Sequence, residues 1–148
     1  MTPKTPTDET VRLDDDLSFL MARANALSIA SGNAALAPFG LKVRSYSVLA
    51  LAAGEARPSQ REVSEHLRLD PSQVVALVDD LQRRGLVSRE ADPRDRRANV
   101  VVITAEGRAL LAEARPAILA AERALHAGLD DEERGHLAAL LRRVAFPA

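Results

Sequence analysis

The chain has 148 residues, the length of one ordinary domain, and its 20 basic and 21 acidic residues give a formal net charge of -1. It contains no cysteine, which excludes disulfides, thiolate metal sites and thiol-based redox sensing. No apolar run approaches the roughly 18 residues that a membrane span requires, and residues 1–10 lack the apolar core of a signal peptide. We therefore expect a soluble, cytoplasmic protein with no membrane partner.

The N-terminal part is predicted to be a disordered segment followed by a long helix. Residues 1–10 are rich in threonine and proline and have no apolar pattern, so they are expected to be disordered. A helix is predicted from about Leu13 to Ala37, before Pro38 and Gly40. Its apolar positions step alternately by four and three residues, which is typical of a helix that pairs with another helix.

The middle of the chain carries three helix signals in succession. A helix is predicted over about Val43–Ala53. Ser59 and Glu62 have the spacing of a capping box, which starts a short helix ending near Leu67. The run Asp70-Pro71-Ser72-Gln73 is a second start signal, and the helix that it opens is predicted to end near Arg84.

The second half is predicted to be a hairpin followed by two helices. The β-branched runs 86–90 and 98–103 predict the two strands. A long helix is predicted from Thr104 to about Ala127, bent by Pro116, and a last helix follows Asp130. The fold class is therefore mainly α (α+β), a helix-turn-helix with a β-wing between long terminal helices. Those terminal helices would most simply pack across a two-fold axis, so we expect a homodimer.

Six arginines and three acids lie between Arg83 and Arg97, although the whole chain is nearly neutral. The densest part, 92–97, falls at the tip of the predicted hairpin. The planar fork of arginine suits phosphates and groove edges, and a narrow minor groove attracts it. The alternative is a tip in which these arginines only pair with Asp92 and Asp95. Exposed ion pairs contribute only about 0–1 kcal/mol, so stability alone is a weak reason for the cluster.

The helix before the hairpin has a small and mostly neutral outward face. Its apolar face faces the core, and the opposite face carries Ser72, Ala76, Asp79 and Arg83. Side chains this small let a helix approach a groove closely. Ser72 and Gln73 can hydrogen-bond base edges, and Val75 and Ala76 can contact a thymine methyl. The alternative is a solvated helix that binds nothing, which Asp79 and Asp80 favour because they would repel phosphates.

These segments closely resemble the MarR family of bacterial winged-helix regulators. The resemblance rests on residues 69–87, on the wing motif Asp92-Pro93-Arg94-Asp95-Arg96-Arg97 and on Thr104-Ala105-Glu106-Gly107, and it covers nearly the whole chain. It implies a sequence-specific regulator of transcription, a ligand-responsive repressor that binds a palindromic operator in double-stranded DNA as a homodimer. Residues 11–148 would form a single domain, with dimerisation helices at 11–38 and 105–148 and a winged helix-turn-helix at 43–104.

The resemblance also implies roles for individual positions. The helix would enter the major groove and the wing the minor groove. The implied DNA contacts are Pro71, Ser72, Gln73, Val75, Ala76, Arg94, Arg96 and Arg97. Asp92 or Asp95 would brace the wing. Many relatives carry a polar or basic residue where Val75 stands, which leaves the base preference at this position open.

A small aromatic or anionic effector is a further implication of the family. The candidate lining residues are Phe19, Arg23, Phe39, Tyr46 and His66. Each also has a simpler role. Phe19, Phe39 and Tyr46 would suit the core, Arg23 a solvated helix surface, and His66 a surface or capping position.

No cofactor, metal site or catalytic activity is expected. The three histidines, His66, His126 and His136, are not spaced as local metal ligands. Phosphate-binding loops and nucleophile motifs are missing from the sequence. The alternative function is a winged-helix dimer that binds protein without specific DNA binding. Such a module would have a wing without arginines and a bulky apolar face on its recognition helix, whereas this chain has the reverse.

Overall fold

A computed structural model describes residues 12–148, which form six α-helices and one two-stranded antiparallel sheet. The elements are α1 (Leu17–Leu36), α2 (Val43–Ala52), α3 (Gln60–Leu67), α4 (Pro71–Arg83), β1 (Val87–Asp92), β2 (Asp95–Ile103), α5 (Ala105–Leu125) and α6 (Asp131–Ala145). This order confirms the mainly α fold with a helix-turn-helix, α3–α4, and a wing, β1–β2. The disorder expected for residues 1–10 lies outside the described residues.

Two predicted boundaries are wrong. The first long helix starts at Leu17, not at Leu13, because Asp16 has extended backbone angles that separate α1 from a short 3-10 turn at Leu13–Asp15. The wing strands are longer than predicted, so Arg96 and Arg97 lie within β2 rather than in a loop. The strands extend because Asp92 and Asp95 pair across a turn of only two residues.

The helix starts in the middle of the chain agree with the sequence signals. Ser59 Oγ accepts a hydrogen bond from the Glu62 amide at 3.1 Å, and Asp70 Oδ1 accepts one from the Ser72 amide at 2.9 Å. Thr104 Oγ1 likewise accepts from the Gly107 amide at 3.0 Å. Each cap satisfies a backbone donor that the first helical turn leaves unpaired.

The core lies between α2, α3, α4, α5 and the part of the wing that is farthest from its turn. Its fully buried side chains are aliphatic, in keeping with the low aromatic content; the largest are Leu36, Leu49, Leu81, Val48, Val63, Val74, Val78, Val87, Val100 and Val101. Thr104 Oγ1 also donates to the Gly85 carbonyl at 2.7 Å. The start of α5 is therefore bonded to the chain segment that connects α4 to the wing.

The terminal helices expose apolar side chains that the core does not use. On and before α1 these are Leu13, Leu17, Leu20, Met21, Leu27 and Ile29, and near the C-terminus they are Leu137, Leu140, Leu141, Val144 and Phe146. No residue of α6 is buried. Pro116 lies inside α5 without ending it. Within residues 12–148, no helix is both long enough and apolar enough to span a membrane.

Candidate nucleic-acid interface

The N-terminal half of α4 presents its predicted contact residues on the surface. Pro71, Ser72, Gln73, Val75 and Ala76 are all exposed. The opposite face is in the core, because Val74, Val78 and Leu81 are fully buried. The helix therefore has the orientation that its apolar period predicts.

Two of these exposed residues also take part in starting the helix. The Ser72 hydroxyl donates to Asp70 Oδ1 at 2.7 Å, and Gln73 Oε1 accepts from the Asp70 amide at 3.2 Å. The hydrogen bond from the Ser72 hydroxyl, followed by that from its amide, lowers the pKa of Asp70. Asp70 is therefore a carboxylate at neutral pH, and it holds Ser72 in one orientation.

The acids of α4 are paired within the protein. Asp79 Oδ1 lies 2.6 Å from Arg89 Nη2, and Asp80 Oδ1 lies 2.6 Å from Arg83 Nη2. Asp80 also has Arg84 at 3.8 Å. Neighbouring arginines thus compensate the two negative charges that had favoured the alternative, in which α4 is solvated and binds no DNA.

Arg89 is a residue whose role the sequence reasoning missed. It follows Val87 by two positions on β1, so strand alternation directs both side chains to the same side of the wing. Val87 is buried against the core, and α4 contacts β1 on that side. The alternation was therefore a signal that Arg89 faces α4 rather than solvent.

Arg94 holds the wing turn against α3. Its Nη2 donates to Glu62 Oε1 at 2.7 Å, and its Nε donates to Asp92 Oδ1 at 3.2 Å. The Arg94 amide donates to the same Asp92 oxygen at 2.9 Å. Asp92 is only 4% exposed, so this predicted brace is a buried carboxylate with its hydrogen bonds satisfied. Glu62, which lies 32 positions earlier, was not among the predicted site residues.

These contacts shift the pKa values of the three groups. The hydrogen bond from the Arg94 amide, then that from its side chain, lowers the pKa of Asp92. The Arg94 side chain lowers the pKa of Glu62, and both carboxylates, Asp92 first, raise the pKa of Arg94. All three groups are therefore charged at neutral pH and form one clasp between the wing and α3.

Arg96 and Arg97 differ from Arg94 in their surroundings. Both are exposed, and among residues 12–148 no carboxylate forms an ion pair with either. Asp95 Oδ1 accepts from the Arg97 amide at 3.0 Å, so Asp95 orders the backbone beside the turn and leaves the guanidinium available.

The predicted effector residues lie on several different elements of the structure. Phe39 and Tyr46 pack partly buried against the core, and the Tyr46 hydroxyl accepts from Arg115 Nη1 at 3.3 Å. Phe19 is half-buried on α1, and Arg23 is exposed there.

His66 lies elsewhere, on α3. Its ring centroid is 5.6 Å from that of Phe146, and it lines a cavity of about 660 Å³ between α3 and the C-terminal residues. None of the other four candidates lines this cavity. In residues 12–148 there is no cluster of three or more His, Asp or Glu side chains suited to a metal ion.

Comparison with known proteins identifies the family. A sequence profile of the MarR family matches residues 39–98. The crystal structure of a MarR-family transcriptional regulator from Rhodococcus sp. RHA1 superimposes with a TM-score of 0.88 and is 42% identical, with 93% of this chain and 97% of that chain covered. The chain belongs to the MarR family. It is a winged-helix transcriptional regulator.

Three further relatives of this MarR-family chain carry information on ligands, DNA and genes. CouR from Rhodococcus jostii RHA1, bound to p-coumaroyl-CoA, has a TM-score of 0.83 and 43% identity over 93% of this chain and 96% of CouR. A different transcriptional repressor called CouR, bound to a 23-mer DNA duplex, has a TM-score of 0.82 and 30% identity over 90% of this chain and 95% of that chain. A putative regulatory protein for the hcr operon of Thauera aromatica is 32% identical over 99 residues, which are 67% of this chain and 60% of that protein. The match therefore spans less than two thirds of the Thauera protein.

Proposed function

We propose that this MarR-family chain is a sequence-specific DNA-binding repressor, responsive to a small ligand, that acts in the cytoplasm as a homodimer on a palindromic operator and catalyses no reaction. The observation that carries this proposal is the pairing pattern of the charges. The acids of α4 are compensated internally, whereas Arg96 and Arg97 on the adjacent wing carry no ion pair among the described residues. A surface of this kind suits a polyanion.

The dimer is supported by the apolar side chains of the terminal helices. Leu17 is 77% exposed and Val144 is 61% exposed, and each of the two helices exposes further large apolar side chains. Large exposed apolar patches are rare on monomers and mark interaction surfaces. We therefore assign residues 11–38 and 105–148 to dimerisation and residues 43–104 to the winged helix-turn-helix, within one domain of residues 11–148.

The proposed DNA contacts divide into two groups. Pro71, Ser72, Gln73, Val75 and Ala76 lie at the start of α4, where free amides and small side chains favour approach to a major groove. Arg96 and Arg97 would serve the minor groove. Arg94 belongs to the wing contacts predicted from the sequence, and its bonds to Glu62 and Asp92 give it the added role of fixing where the wing lies.

The alternative, a winged helix that binds protein, has less support. Val75 is the single large apolar side chain exposed on the part of α4 that would meet a partner. A protein-binding helix generally offers several apolar anchors at helical spacing.

The effector is proposed to be a small aromatic or anionic molecule, because CouR binds an aromatic acyl thioester of coenzyme A. Phe19, Arg23, Phe39, Tyr46 and His66 remain its candidate contacts. The Tyr46 hydroxyl and Arg115 form a polar pair at the junction of α2 and α5, and Arg115 would add a cation for a carboxylate or phosphate. Calorimetric titration with p-coumaroyl-CoA tests this, with Tyr46→Phe and Arg115→Ala as variants. Equal binding heats for the wild type and both variants would show that Tyr46 and Arg115 do not belong to the effector site.

The direct test of DNA binding is an electrophoretic shift against the promoter beside the protein's own gene. We expect specific binding that weakens steeply with salt, because lysine and arginine contacts release counterions from DNA. Arg96→Ala and Arg97→Ala should each weaken binding by about 5- to 150-fold where the side chain makes a good groove contact.

A matched control for these substitutions is Arg142→Ala. Arg142 is exposed on α6, and on a helical projection it lies opposite the apolar stripe, so its loss should leave affinity unchanged. Absence of binding to any such fragment at low salt would refute the proposal. Equal losses in all three variants would indicate a nonspecific charge effect.

A further inference from the structure

The side chain of Arg89 joins three elements of the DNA-binding half. Its Nε donates to Gln60 Oε1 at 2.7 Å, its Nη1 to Gln82 Oε1 at 2.6 Å and its Nη2 to Asp79 Oδ1 at 2.6 Å. Gln60 starts α3, whereas Gln82 and Asp79 lie on α4. The Arg89 side chain is only 20% exposed. All three nitrogens of the guanidinium therefore bond to the protein, which leaves little of the group for a ligand.

The partner Asp79 lies on the surface proposed to approach DNA. Ser72, Ala76 and Asp79 are separated by four and three residues, so they share one face of α4. The Asp79 side chain is 55% exposed. An uncompensated carboxylate here would face the phosphates beside the groove, and juxtaposed like charges disfavour association.

The pair differs from the other ion pairs of the region. Arg83 and Asp80 are neighbours on one helix, and the Arg83 side chain is largely exposed while that of Asp80 is about half exposed. Arg57 and Glu90 are likewise exposed. Among the ion pairs of residues 12–148, that of Arg89 and Asp79 alone joins the wing to α4.

We propose that Arg89 is a positioning residue for DNA binding that acts through Asp79: by bonding to this carboxylate, it neutralises a charge on the recognition surface that would otherwise repel DNA. Arg89 does not itself contact DNA. This inference rests on the proposed function, since it concerns how the same surface becomes compatible with a polyanion.

A double-substitution cycle tests the charge effect. Affinity for the promoter duplex is measured by fluorescence anisotropy for the wild type, Arg89→Met, Asp79→Asn and the double variant, at low and at physiological salt. We expect Arg89→Met to weaken binding by about tenfold at low salt, because it leaves the Asp79 charge uncompensated. The double variant should return to within about threefold of the wild type, as the repulsive charge is gone.

The salt dependence of DNA affinity distinguishes this charge effect from a purely structural role of Arg89. Repulsion between exposed charges is screened, so the ratio of the Arg89→Met and wild-type dissociation constants should shrink as salt rises. A double variant that binds as weakly as Arg89→Met, with a ratio independent of salt, would overturn the inference and leave Arg89 as a structural support only.

Asp79→Asn alone keeps the test decisive if Arg89→Met fails to fold. The asparagine oxygen can still accept from Arg89, so this variant should bind DNA as tightly as the wild type or more tightly. Weaker binding by a folded Asp79→Asn protein would contradict the inference. A wild-type protein that binds no duplex would instead refute the proposed function, so the two failures are distinguishable.

Discussion

Gly107→Ala is expected to destabilise the protein although it replaces a poor helix former with the best one. Gly107 lies in the first turn of α5, where the helix passes close to the segment leading into the wing. A Cβ at this position would lie 2.1 Å from the Leu86 carbonyl oxygen, 3.0 Å from the Leu86 carbonyl carbon and 2.7 Å from Ile103 Cγ1. Because two of these atoms belong to the backbone, no side-chain rotation relieves the contact, and α5 must move away from the wing.

Two opposing terms set the size of the effect. Overpacking a close contact costs about 1–3 kcal/mol, and a rigid backbone neighbour favours the upper end. The higher helix propensity of alanine stabilises the folded protein by about 1 kcal/mol relative to glycine. We therefore expect a net loss of about 2 kcal/mol in the free energy of unfolding, which for a chain of this size lowers Tm by about 4–8 °C.

Gly135→Ala is the matched control. Gly135 is also within a helix, but no atom lies within 4 Å of an added Cβ, and it faces away from the apolar stripe of α6. This substitution should stabilise the protein by about 0.5–1 kcal/mol. Thermal unfolding of all three proteins at one concentration, which is necessary for a dimer, gives the comparison. A Gly107→Ala protein that melts at or above the wild-type temperature would refute the packing argument.

Three further predictions concern the cap, the clasp and the dimer. Ser59→Ala removes the acceptor of the Glu62 amide and should lower the free energy of unfolding by about 0.5–2 kcal/mol in urea denaturation, and an unchanged midpoint would show that the cap is dispensable. The pKa values of Glu62 and Asp92 are lowered in the folded protein, so their stabilisation is present above about pH 4 and is lost as the pH falls through the lowered values. Urea denaturation from neutral to acid pH should show this decline, and Glu62→Gln with Asp92→Asn should reduce it. Leu27→Glu and Leu140→Glu place charges on the exposed apolar faces, and sedimentation should then give monomers of 15.9 kDa, whereas an intact dimer would exclude these faces from the interface.

The helix starts could be predicted because their signals are local. Ser59 and Glu62, or Asp70 and Gln73, lie three residues apart, and the hydrogen bonds that they form connect residues at that same spacing. The inward face of α4 follows from the helical period in the same way. Interactions within one helical turn can therefore be predicted from the spacing of residues in the sequence.

Asp92 was predicted as a brace of the wing, but the other partners of the wing arginines could not be predicted, because they lie far apart in the chain. Arg94 bonds to Glu62 across 32 positions, and Arg89 bonds to Gln60 across 29. Such pairs depend on how α3 packs beside the wing, which no local spacing records. The sequence predicted arginine as the DNA-contacting residue type of the wing, but it did not distinguish the clasped Arg94 from Arg96 and Arg97, which form no ion pair within residues 12–148.

The effector residues remain a prediction. Phe39 and Tyr46 are partly buried against the core, and His66 lines a cavity that none of the other four candidates lines. An effector site between helices depends on side chains from several segments, and in a dimer also on a second chain. Single residue types therefore carry little information about it.

The cap of α4 limits which bases its first residues can recognise. In a complex that keeps the cap, Gln73 has one lone pair of its oxygen engaged by the Asp70 amide and offers DNA chiefly the two N–H donors of its amide nitrogen. Those donors match N7 and O6 of guanine, N7 of adenine or O4 of thymine. The Ser72 hydroxyl gives its proton to Asp70 and offers only lone pairs, which match the amino groups of cytosine or adenine. If Ser72 and Gln73 contact DNA as we propose, the hydrogen bonds that begin the helix direct Gln73 chiefly to acceptor edges of the bases and Ser72 to donor edges.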